Sequence, residues 1–133
     1  MFREFEEAKL LPGPYEFVEL VEGYNYYFAF DSWEIGKAII KPEYPYAPPS
    51  KEIYVIRLHA KQGYKEYAPY YWDLAPARLV WELVRILPEM DYTNFGLKIW
   101  RVGSGPAAHF GVQIVSLAEI PKPIKHMSRS GMI

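Results

Sequence analysis

The chain has 133 residues, half of them hydrophobic and 23% charged, which suits one globular domain with a core that needs no staples. A net charge of −1 argues against a whole-body nucleic-acid binder, and the absence of cysteine excludes disulfides and thiolate metal sites. No apolar run approaches the roughly 18 residues of a membrane span.

Aromatic residues reach 17% and there are 12 prolines, while Asn25, Asn94, Gln62 and Gln113 are the only side-chain amides. Few labile amides, no cysteine and many prolines follow the hyperthermophile trend. The acidic start, Met1 to Glu7, is unlike a signal peptide, and with no cysteine the composition fits a cytoplasmic protein. Charge is uneven: residues 1–34 carry net −6, residues 35–96 net +1 and residues 97–133 net +4. Oppositely charged ends permit head-to-tail contact between copies, or neutralisation within one copy.

Phe2 to Leu11 can form a short helix, with Arg3 and Glu7 at i,i+4 spacing, ended by Pro12-Gly13-Pro14. Tyr15 to Glu22 fits either a helical stripe or, given its Tyr, Phe and Val, a strand paired with Tyr24–Phe30, which reads as a buried strand. Asp31 and Glu34 resemble a capping box that could open a short helix before Pro42, although Ile39 and Ile40 suit a strand as well. Residues 42–50 hold four prolines and read as an extended arm.

Glu52 to Ala60 alternates, with Tyr54, Ile56, Leu58 and Ala60 on one side and Ile53, Val55, Arg57 and His59 on the other. Lys61 to Trp72 reads as an aromatic loop. It feeds the strongest element of the chain, a helix from Asp73 to Leu87: Leu79, Val80, Leu83, Val84, Ile86 and Leu87 share one arc at about 100° per residue. Arg78, Glu82 and Arg85 share the other, with Trp81 on the border. Asp73 is placed to serve as the N-cap, Pro76 lies in the first turn, and Pro88 stops the helix. Phe95–Val102 and Phe110–Leu117 then repeat one pattern across a glycine-rich connection, a hairpin. The whole reads as α+β: residues 1–119 form a single domain, a mostly antiparallel sheet of about five strands with one principal helix on one face. Residues 120–133 form a basic, proline-broken tail.

No catalytic or cofactor motif stands out. His59, His109 and His126 lack metal-ligand spacing. Arg101 with Gly103-Ser104-Gly105 faintly resembles a phosphate loop, but a strand follows where a nucleotide site needs a helix. The aromatics are the most suggestive feature. Tyr64, Tyr67, Tyr70, Tyr71 and Trp72, with Arg57 and His59, could stack bases or anchor a protein interface. Tyr44 and Tyr46 on the arm, and Lys122, Lys125 and Arg129 in the tail, complete the candidate contacts. Tyr26, Phe28 and Phe30 read as core.

The functional expectation is a non-catalytic assembly or interaction protein, self-associating or a subunit of a larger complex. The alternative is a nucleic-acid-binding accessory protein using the Tyr64–Trp72 loop and the tail, and a small enzyme of unknown class stands third. No cofactor and no membrane partner is expected.

Overall fold

A computed structural model describes residues 8–40, 51–64 and 71–122. The 42–50 arm, Tyr67, Tyr70 and the tail from residue 123 lie outside them. Seven strands are present among the described residues: β1 (Lys9–Leu10), β2 (Asn25–Phe28), β3 (Phe30–Ile40), β4 (Lys51–Ala60), β5 (Tyr71–Leu74), β6 (Phe95–Val102) and β7 (His109–Ser116). One helix, α1 (Ala77–Ile86), tightens into a 3₁₀ turn over Leu87–Glu89. The α+β class and the single principal helix stand as read from the sequence. The strands, however, divide between two sheets, ordered β1-β3-β4-β5 and β2-β6-β7.

The division occurs at one residue. Tyr24 to Phe30 reads as one apolar run, but β2 pairs with β6 while β3 pairs with β4, so the chain changes sheets at Ala29. Phe28, Ala29 and Phe30 are all fully buried at this corner, and the Ala29 carbonyl accepts a hydrogen bond from the Lys61 amide. Such corners let one chain supply both layers of a core.

β3 and β4 form a long antiparallel pair, from Phe30 opposite Ala60 to Ile40 opposite Lys51. The capping box at Asp31–Glu34 therefore does not form. Those residues belong to β3, where alternation sends Trp33 and Ile35 to the main core and Ser32 and Glu34 to the opposite face. β4 alternates as its sequence suggests, yet both of its faces are covered. Ile56 and Leu58 enter the main core, while Val55 joins Leu11 and Ala38 in a smaller cluster behind the sheet.

Lys9 and Leu10 are not helical. They run parallel to β3 beside Gly36 and Lys37, and the Leu11 amide donates to the Lys37 carbonyl. Gly36 makes this contact possible, because a Cβ there would overlap the Leu11 side chain and the Lys9 carbonyl. Residues 2–7 of the helix expected there, with Arg3 and Glu7, lie outside the described residues.

Asp73 is not the helix cap. It lies in β5, and α1 starts at Ala77 with Pro76 as its capping residue, which has no side-chain bond to offer. The apolar arc is as expected in its centre: Leu79, Val80, Leu83 and Leu87 are buried, Val84 and Ile86 half-buried, and Trp81 on the border is 46% exposed. α1 packs against β4 of one sheet and β7 of the other. β6 and β7 form the expected hairpin, in register from Phe95 opposite Ser116 to Val102 opposite His109. None of the described helices is long and apolar enough to cross a membrane.

Candidate interaction surfaces

The densest polar cluster lies on the outer face of the four-stranded sheet. Register places Glu34 beside Arg57, Arg57 beside Asp73, and His59 beside Tyr71. Arg57 and Asp73 are 3% and 0% exposed, and the guanidinium grips the carboxylate at two points, Nε to Oδ1 at 2.8 Å and an Nη to Oδ2 at 3.2 Å. The Tyr71 ring covers the guanidinium at 3.9 Å from its centroid, and Tyr15 approaches the same group. Burial on its own lowers the Arg57 pKa. The hydrogen bonds and charge of Asp73 more than offset this, and the net displacement is upward.

Asp73 also secures a second stretch of chain. Its Oδ2 accepts the Glu16 amide at 2.8 Å, its own amide donates to the Glu16 carbonyl, and its carbonyl accepts the Val18 amide. Phe17 thereby bridges to Asp73 in parallel, and the Tyr71 hydroxyl donates to the Pro14 carbonyl. A guanidinium held bidentately and capped by aromatic rings has little left to offer a substrate anion. This cluster is a clasp that fastens residues 14–18 over the β5 edge. At its rim, His59 meets Glu34 at 2.7 Å and Lys61 meets Asp31 at 3.1 Å, both pairs partly exposed.

The candidates named from the sequence separate accordingly. Arg57 and Trp72 are buried, Tyr71 is committed to the clasp, and His59 lies at its rim. Tyr64 is half-buried with the Lys122 ammonium 5.2 Å above its ring. Residues 117–122 therefore return to the body: the Leu117 amide reaches the Asn94 carbonyl and Ile120 is buried in the core. Tyr44, Tyr46, Tyr67, Tyr70, Lys125 and Arg129 fall outside the described residues.

The glycine-rich loop is occupied by an acid from its own chain. Glu22 accepts the Gly103 amide at 2.9 Å, and Arg101 donates to the Leu20 carbonyl. A carboxylate of the same sign as phosphate on that amide disfavours a phosphate cradle. His59 and His109 have separate neighbours, Glu34 and Arg78, and no group of three or more acids and histidines among the described residues is gathered to hold a metal.

One feature of the fold was not apparent from the sequence pattern. β7 is the terminal strand of the three-stranded sheet, and among the described residues its backbone pairs only with β6. Its eight residues, His109-Phe-Gly-Val-Gln-Ile-Val-Ser116, include no proline and no Lys, Arg, Asp or Glu. Gln113 is exposed and Ile114 is 47% exposed. Behind the strand, the Trp100 ring rests on Gly111, where a Cβ would collide with the indole, and Lys98 lies 5.4 Å over that ring. Natural sheets blunt such edges with charge, proline, bulges or brevity. β7 has none of these, although α1 packs against it, and the signal available in the sequence is an eight-residue strand without Lys, Arg, Asp or Glu. Compared with protein-family models, with curated proteins and with solved structures, the chain matches none.

Proposed function

We propose that this is a non-catalytic assembly protein, self-associating or a subunit of a larger complex. The observation that carries the reading is the β7 edge, a long strand without Lys, Arg, Asp or Glu whose outward backbone groups are paired by no other strand among the described residues. Apolar side chains beside it, Ile114 above all, supply area that the pairing would bury. The densest polar cluster supports the same reading, since its charges are spent on fastening the chain to itself. The nucleic-acid alternative loses support at Arg57 and Trp72, which are buried, and otherwise rests on residues outside the described ones. The cysteine-free composition agrees with a cytoplasmic setting.

Light scattering at low and high protein concentration tests the proposal. A mass above that of one chain, rising with concentration, is expected. A protein that stays monomeric throughout, with β7 amides protected from exchange by its own chain, overturns it.

A further inference from the structure

We infer that the partner at β7 is β7 of a second copy, running antiparallel about a two-fold axis and joining two three-stranded sheets into one of six strands. This rests on the assembly reading above and names its partner. Two-fold pairing is isologous, so each residue meets itself or a near neighbour across the axis. Any lysine or glutamate near the centre of such a strand would face its own like charge, which is destabilising. His109–Ser116 contains neither, so self-pairing meets no such penalty. A strand shaped for a different protein has no reason to avoid charge, because the partner can carry the opposite sign.

The alternation is also self-consistent. An axis perpendicular to the sheet sets residues of one face opposite residues of that same face. Phe110, Val112 and Ile114 share the face of Leu97 and Ile99, and would meet one another across the axis. Gly111, Gln113 and Val115 share the other face. The two central registers place either Val112 or Gln113 on the axis.

Cysteine substitution tests this cleanly in a chain that has no cysteine. Opposed residues in an antiparallel pair lie within disulfide reach. Gln113→Cys or Val112→Cys, whichever sits on the axis, should therefore cross-link two copies on mild oxidation, while Arg85→Cys on the exposed face of α1 should not. A charge exchange gives a second measurement. Gln113→Glu and Gln113→Lys should each weaken association by about fivefold, and an equimolar mixture of the two should restore it. If the protein assembles but neither cysteine cross-links and both charge variants associate like the parent, β7 pairing is overturned and the assembly reading stands. A chain that is monomeric at every concentration overturns both.

Discussion

At β5 the outward backbone of Asp73 is taken by Glu16 and Val18, and its carboxylate by Arg57 and the Glu16 amide. At β7, twice as long, the only described strand paired with it is β6, on its inner side, and α1 packs against it without pairing its backbone. Among the described residues the chain thus seals the β5 edge with a fully desolvated ion pair and pairs no strand to the outer side of β7, which carries no Lys, Arg, Asp or Glu. Burying an arginine and an aspartate is expensive, and the geometry must be good to offset it. A chain that invests so heavily in closing one edge has the means to close a second. The contrast is therefore informative: among the described residues one edge fastens the chain to itself, and the other is the one assigned above to a partner.

The largest effect should come from breaking the sealed edge. Asp73→Ala leaves Arg57 buried and unpaired and should cost about 3–5 kcal/mol in chemical denaturation, whereas Arg57→Met combined with Asp73→Leu should recover much of the loss. A cost below about 1 kcal/mol for Asp73→Ala would be that of an exposed pair and would refute the clasp. Raising pH leaves the clasp intact near neutrality. The Arg57 pKa is displaced upward, so its contribution is complete below the unfolded value and is lost only as pH rises through the folded one, in the strongly alkaline range.

Leu83→Ala should follow at roughly 2–5 kcal/mol, because Leu83 is fully buried on the inner face of α1. Glu82→Ala, one position away on the wetter face, should cost under about 0.5 kcal/mol. Equal effects at the two sites would mean that the helix is turned the other way. Gly36→Ala should cost about 1–3 kcal/mol by pushing Leu11 and β1 off the sheet, seen as faster exchange of the Leu11 amide. The smallest effect on the isolated chain belongs to the open edge. Ile114→Thr should leave monomer stability within about 0.5 kcal/mol of the parent while weakening self-association measurably in sedimentation.

How much of this was legible depended on the range of the interaction concerned. The arc of Leu79, Val80, Leu83 and Leu87 and the paired pattern of Phe95–Val102 and Phe110–Leu117 are local periodicities, and the structure follows both. Asp73 before Ala75-Pro76 has the local look of a helix cap, but its partner is Arg57 on the neighbouring strand, and nothing local distinguishes the two roles. Asp31 and Glu34 likewise mimic a capping box, and β3 overrides it through ten residues paired with β4. Tyr24–Phe30 concealed the change of sheet because both sides of Ala29 are equally apolar and equally buried. Residue type, aromatic or basic, is what marks the candidate contact residues in the sequence. It points to Tyr71 and Arg57, which the fold consumes, and is silent on β7, whose distinguishing property is the charge it lacks.

The change of sheet at Ala29 also bears on the order of events as the chain folds. β3 with β4 and β6 with β7 are hairpins between sequence neighbours, each able to form without the other. β2 has no such neighbour. Its Asn25 pairs with Trp100 and its Phe28 with Leu97, so its ladder must wait for the far end of the domain to arrive. Closing so long a loop costs entropy before any contact compensates it, which slows folding. Because β2 and β3 are separated by Ala29 alone, the moment β2 docks on β6 is also the moment the two hairpins are brought face to face. Docking of β2 therefore completes the three-stranded sheet and sets it against the other, and we expect the barrier to folding to lie at that step.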